Sequence, residues 1–284
     1  MPLVKVNELL RHATENGYGV AAVNVFNYET IKWVAEAANR ERIPVIIQFY
    51  PGFDKYIALK HVAAIAKDFA EKSSVPIGVH LDHSAGYEIA VSGVRDGFPS
   101  VMVDGSALPY EENMALTAAV VKTAAVFGVD AEAELAHVGS GANLDDIVNS
   151  DHYTDVKQAV EFVKCTGCGS LAVAVGNAHG AYVQTPNLDF DRIASLRSAL
   201  PIPLVLHGCS DIPPEQLQES VRLGMSKFNI ATEYFRACYH GVVQHGDPAE
   251  KNGDMFRLMM ETSENAIDFV RGKMRLLNPN KFTF

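Results

Sequence analysis

The sequence predicts a parallel α/β fold, a (β/α)8 TIM barrel with an extra C-terminal helix, and three observations lead there. Eight short β-branched runs recur along the chain, each followed by a loop and then a helical pattern. The runs are almost continuously apolar, as strands of a parallel sheet buried on both faces are. Eight such units fill about 250 residues, the usual size of this barrel. A doubly wound open sheet is the alternative, but no G-x-G-x-x-G joins the first strand to the first helix.

The strand runs are, in order, 19–25 (GVAAVNV), 44–49 (PVIIQF), 77–82 (IGVHLD), 100–105 (SVMVDG), 129–135 (VDAEAEL), 170–176 (SLAVAVG), 203–208 (PLVLHG) and 226–232 (SKFNIAT). Between them, stretches such as 27–41, 56–73, 113–128 and 214–224 carry apolar residues at helical spacing. The same spacing in the tail predicts one more amphipathic helix over about 253–277. No linker or low-complexity segment divides the chain, so 1–284 is read as one barrel domain.

Composition narrows the function. With 48% hydrophobic residues the chain can bury a full core. No apolar run approaches the roughly 20 residues that cross a bilayer, and the N-terminal MPLVKVNELLRH lacks the apolar core of a signal peptide. The expectation is a cytoplasmic protein with no membrane partner. A net charge of -10 argues against a nucleic-acid surface. An anionic ligand would have to be held locally, by backbone N–H groups or a metal. Cys165, Cys168, Cys209 and Cys238 do not form a disulfide framework, and no second C-x-x-C exists to close a four-cysteine zinc site. CTGC (165–168) is either a redox pair or, as favoured here, a helix ending at Gly167.

Catalytic residues of this barrel lie where strands end. Asn24, Asp82, His83, Asp104, Glu132, Glu134, Asn177, His179, His207, Asn229 and Thr232 all fall there. Three imidazoles, His83, His179 and His207, from three strand ends with an open fourth position suit a catalytic zinc. His80 is taken as a packed or supporting histidine; His12, His61, His240, His245 and His152 need no special role. Turns HGAY (179–182), HGCSD (207–211) and NIAT (229–232) offer glycine or a helix start where such barrels often hold phosphate. A metal hydrolase on the same barrel is a competing reading of the histidines alone.

The segments HLDH, SVMVDGSALPYEEN, AEAEL, GNAHGAY, PLVLHGCSDIP and KFNIATE, in this order over nearly the whole chain, resemble the zinc-dependent class II ketose-bisphosphate aldolases, most closely the tagatose-bisphosphate branch. The resemblance implies that His83, His179 and His207 hold zinc and that Asp82 is the acid–base residue. It places Gly180, Gly208, Cys209, Ser210, Asn229, Ile230, Ala231 and Thr232 around the dihydroxyacetone phosphate half of the substrate. Asp104 and Glu134 correspond to an alternative metal position. It further implies a sugar phosphate ligand, a homodimer or homotetramer, and a monovalent cation as a candidate second cofactor. Cleaving a ketose between C3 and C4 leaves a carbanion beside a carbonyl, which zinc would stabilise as a Lewis acid.

Three departures stand out. The loop AHVGSGANLDDIVNS lacks the glutamate that relatives use as donor-carbon base, leaving Asp145, Asp146 or Glu134 as candidates. Val183 and Gln184 follow HGAY where many relatives have lysine. Tyr50 stands where relatives usually have a small hydroxyl residue. With Asn24, these last positions form the expected acceptor pocket. The substrate is therefore either tagatose or fructose 1,6-bisphosphate, or a ketose 1-phosphate whose far end is deoxy, sulfonated or carboxylated. A non-catalytic sugar-phosphate-binding companion is the reading from another class.

Overall fold

The structure, a computed structural model, describes residues 3–246 and 253–284. It opens with α1 (Val6–Asn16) and β1 (Val20–Asn24), then α2 (Tyr28–Glu41), β2 (Val45–Phe49), α3 (Leu59–Lys72), β3 (Ile77–Ser84) and α4 (Tyr87–Asp96). The middle comprises β4 (Ser100–Val103), α5 (Tyr110–Val126), β5 (Asp130–Leu135), a short α6 (Leu144–Val148) and α7 (Val156–Thr166). It ends with β6 (Ser170–Val173), α8 (Phe190–Ala199), β7 (Leu204–Leu206), α9 (Pro214–Arg222), β8 (Met225–Ile230), α10 (Thr232–His245) and α11 (Met255–Leu276). The strands form a closed parallel barrel in sequence order, β8 returning to β1 with Asn229 opposite Ala22. This is the TIM barrel the sequence predicts, with α11 as its extra C-terminal helix.

Helix α1 closes the end of the barrel away from the site. Its Leu9, Leu10 and Ala13 pack with Tyr18, Val20 and Ile46, and Phe282 and Phe284 of the tail join them. Helix α11 lies against α2 and α10. Glu41 of α2 accepts from Arg271 at 2.6 Å and from Arg275 at 2.6 and 2.7 Å. Gly167, in the left-handed conformation at φ 69, ends α7 between an exposed Cys165 and a buried Cys168.

Strand β6 is shorter than its apolar run because side chains take over its backbone donors. The Ala174 N–H donates to the Thr154 hydroxyl at 2.9 Å and that of Val175 to Asn177 Oδ1 at 2.8 Å. Strand β3 runs two residues further than expected, through a register irregularity against β4 between Leu81 and Ser84. No helix among the described residues is long and apolar enough to cross a membrane.

Candidate active site

The irregularity in β3 shapes the site. In a regular strand Asp82 and His83 would point to opposite faces. His83 has φ 40, a left-handed conformation rare outside glycine, and both side chains line the same cavity at the C-terminal mouth. Asp82 is buried and held by three amides. Asn24 Nδ2 and Gln48 Nε2 donate to its Oδ2 at 3.0 and 3.2 Å, and Asn229 Nδ2 to its Oδ1 at 3.1 Å. Burial would raise its pKa, but the charges of His83 and Lys227 hold it lower, at about 2. Asp82 is thus an ionised carboxylate of fixed orientation.

Beside it, the rings of His83, His179 and His207 converge, with centroids 4.6 to 5.6 Å apart. Each offers a nitrogen within 4.8 Å of the others. His179 Nδ1 donates to the Val138 carbonyl at 2.8 Å, so its Nε2 carries the lone pair, and that atom is buried without a partner. His83 Nδ1 faces Asp104 Oδ2 at 2.9 Å. His207 Nε2 faces Glu132 Oε1 at 3.2 Å, while its Nδ1 lies 3.2 Å from Glu134 Oε2 with neither atom aligned for a hydrogen bond. Burial lowers the His207 pKa, yet Glu132 and Glu134 on its two sides push it up to about 10. The carboxylates therefore favour a cation at this point, and a proton and a metal ion compete for it. Three imidazoles, orphaned buried nitrogens and anchoring carboxylates fit a divalent ion of the zinc type. Asp104 and Glu134 converge with His83 on an adjoining position, the alternative one named above.

Behind this cluster, in the barrel interior, Lys227 Nζ donates to both Glu132 oxygens at 2.9 Å. Lys227 and His80 are fully buried and Glu132 nearly so. His80 Nδ1 bonds Ser100 Oγ at 2.7 Å, which agrees with a packed, supporting role. The chain Lys227–Glu132–His207 orients the imidazole, so the lysine is engaged in the interior and is not presented to the cavity.

The mouth holds a cavity of about 390 Å³. Of the residues assigned to the donor half, Gly180, Gly208, Ser210, Asn229, Ala231 and Thr232 line it. Gly208 has φ 62, and a Cβ there would stand 2.0 Å from the Ala178 carbonyl oxygen, so only glycine lets these turns meet. Tyr182 ties them, its hydroxyl accepting from the Ala178 N–H at 2.7 Å and donating to the Gly208 carbonyl at 2.9 Å. Ser210 Oγ accepts from the Glu233 N–H at 3.3 Å at the start of α10.

Cys209 and Ile230 are buried and outside the lining, the Cys209 thiol turned to the Leu206 carbonyl at 3.0 Å. Asp145 and Asp146 lie in the first turn of α6, outside the cavity lining, and Asp146 Oδ2 accepts from the Ser140 N–H at 2.8 Å. Glu134 sits behind His207, and Gln184 is exposed outside the lining. Asn24 and Tyr50 do line the cavity. Sequence reasoning missed Gln48, Lys227 and His137. His137 lines the cavity, with Nδ1 3.2 Å from Ser106 Oγ, and Ser106 in turn donates to Asp104 at 2.7 Å. Its place two residues past β5 was the available signal.

Fold and site define a barrel enzyme with a metal-binding cluster beside an ionised carboxylate, a lyase of the class II aldolase type. The sequence pattern of the family described as fructose-bisphosphate aldolase class-II matches residues 4–281. The chain belongs to that family. The YdjI aldolase from Escherichia coli K12 superposes with a TM-score of 0.87 at 34% identity, with 97% of each chain covered. A fructose-bisphosphate aldolase from Campylobacter jejuni shares the fold, with a TM-score of 0.82 at 24% identity over 98% of this chain and 96% of that one.

Proposed function

We propose that the protein is a zinc-dependent aldolase that reversibly cleaves a ketose 1-phosphate into dihydroxyacetone phosphate and an aldehyde. The observation that carries this reading is an ionised, triply clamped Asp82 beside three imidazoles, two of them with orphaned buried nitrogens. His83, His179 and His207 would hold the zinc, which when bound supplies Lewis-acid polarisation of the donor carbonyl. Among the described residues no lysine lines the cavity, so the alternative of a lysine Schiff base finds no candidate there.

In cleavage Asp82 accepts the C4 hydroxyl proton as the C3–C4 bond breaks, the electron pair of that bond passes to C3, and C4 becomes the aldehyde carbon. In condensation Asp82 returns the proton to the C4 oxygen. The amides of Asn24, Gln48 and Asn229 keep the carboxylate aimed in both directions. The turns at Gly180, Gly208 and Ala231–Thr232 would cradle the donor phosphate with backbone N–H groups and the Thr232 and Ser210 hydroxyls. A homodimer or homotetramer belongs to this reading, and exposed Tyr239, Val243, Phe256 and Met260 on α10 and α11 offer an apolar face for it.

The test is exchange of the C3 proton of dihydroxyacetone phosphate in D2O by zinc-loaded protein, followed by NMR. Exchange that stops on chelation and returns with zinc is the expected outcome. Absence of exchange in well-folded, zinc-loaded protein would refute the reading.

A further inference from the structure

A second cavity, of about 480 Å³, adjoins the first. Tyr50, His83 and Ala85 line both, so the two meet beside the Asp82–His83 pair. Tyr50 forms the partition. Its ring packs edge-to-face on Phe53 at 5.3 Å, and it lies so close over the turn that a Cβ on Gly52 would stand 2.3 Å from its Cε1. Beyond the partition the second cavity continues along α4 past Ile89, Ser92, Arg95 and Asp96, with Asp54 opposite.

Charge in this space is unfavourable for a second phosphate. Among the described residues that line the two cavities, Arg95 is the only lysine or arginine. Its guanidinium is already engaged by Asp96, at 2.8 and 3.1 Å, and Asp54 adds a further negative charge. The α4 N-terminus at the junction carries Glu88 in its first turn, so its dipole is already answered by a carboxylate. A dianionic phosphate would meet net negative charge, whereas hydroxyl groups would find acceptors in Asp54 and Asp96 and a partner in Ser92. The volume lies in the range of small-ligand pockets and exceeds what the end of a three-carbon aldehyde fills.

We infer that the second cavity receives the far end of the acceptor, and that the acceptor is a polyhydroxylated aldehyde longer than three carbons and without phosphate. This rests on the aldolase reading above. The chemistry balances as an ordinary aldol addition. The donor C3 gives its proton to solvent water, the C3–C4 bond forms to the aldehyde carbon, and the aldehyde oxygen takes a proton that Asp82 relays from solvent to become the C4 hydroxyl, so one proton leaves and one enters.

The experiment offers zinc-loaded protein dihydroxyacetone phosphate with glyceraldehyde 3-phosphate, glyceraldehyde, erythrose and arabinose. Products are identified by mass spectrometry, and rates are referred to the free aldehyde fraction. The expected result is a kcat/KM for the unphosphorylated four- and five-carbon acceptors at least about tenfold above that for glyceraldehyde 3-phosphate. Ser92→Phe, which fills the second cavity, is expected to lower the ratio of long to three-carbon acceptor by about tenfold, and Asp54→Lys to raise the use of glyceraldehyde 3-phosphate. Preference for glyceraldehyde 3-phosphate in the unaltered protein would overturn the inference and leave the aldolase reading standing. So would refusal of every long acceptor while C3 proton exchange persists. Loss of that exchange as well would bring down the aldolase reading, and the inference with it.

Discussion

Replacing Lys227 with methionine is expected to destabilise the barrel, and removing Glu132's charge as well is expected to restore much of the loss. Lys227 Nζ lies 2.9 Å from both oxygens of Glu132, and both side chains are buried. Their gross attraction at an effective dielectric of 20 is about 6 kcal/mol, most of it offset by desolvation. Lys227→Met keeps most of the side chain's length but leaves Glu132 with the His207 Nε2–H and a long 3.5 Å contact from the Ser170 hydroxyl, and no counter-charge from lysine. Removing one partner of such a pair costs about 3–5 kcal/mol. For 284 residues the unfolding entropy is about 0.6 kcal/mol/K, so the melting temperature of the metal-free protein should fall by about 5–8 °C. In the double variant Glu132→Gln with Lys227→Met, the Gln oxygen still accepts from His207 and no charge is left unpaired. It should therefore lie at least about 2 kcal/mol above the sum of the single variants. The assay is differential scanning calorimetry of the four proteins after chelation at neutral pH. Additive single effects would show that the pair is not coupled as the geometry requires.

Three further outcomes follow from the same geometry. Asp82→Asn should lower kcat by about 10²–10⁴ with zinc binding retained. The new amide is accommodated because the Asn229 side chain can turn its unpartnered Oδ1 towards it, and a variant with near-normal kcat would remove Asp82 from the chemistry. Gly208→Ala combines a left-handed backbone, costing about 1–2 kcal/mol, with a Cβ 2.0 Å from the carbonyl oxygen before His179. Zinc affinity by chelator competition should drop at least tenfold, roughly the equilibrium equivalent of that cost, and unchanged affinity would contradict the geometry. Burial raises the Glu132 pKa, but Lys227 and His80 hold it below the usual carboxylate value. The stability it lends is therefore complete above its unfolded pKa near 4.3 and is lost as pH falls below that. The melting temperature of Glu132→Gln should decline less steeply than that of the unaltered protein between about pH 4.5 and 3; equal slopes would assign the acid sensitivity elsewhere.

The barrel was legible because strand runs and helical stretches alternate throughout the chain, and the histidines were legible because each falls at a strand end. Lys227 and Gln48 were not, for a physical reason. Strands buried on both faces lose the polar–apolar alternation that tells the barrel interior from the helix-facing side. Within SKFNI a lysine then reads as a lapse in an apolar run, although it is the counter-charge of the barrel interior. The placement of Gln184, Asp145 and Asp146 was illegible for a different reason: Gln184 sits in a loop and the two aspartates in a single short helical turn between loops, where spacing does not determine direction.

The pair at the centre shows both limits at once. HLDH announces a proton carrier next to a metal ligand, but strand geometry would send consecutive residues to opposite faces. His83 resolves this by adopting φ 40, a conformation that costs of the order of 1–3 kcal/mol and persists only where surrounding contacts over-determine it. Those contacts are visible: His83 Nδ1 on Asp104, Asp104 on the Ser106 N–H and hydroxyl, and the Asp104 N–H on the Ser84 carbonyl at 2.9 Å. Asp104 thus acts on the site through the backbone as well as through charge, holding the strained residue that brings Asp82 and His83 to one mouth.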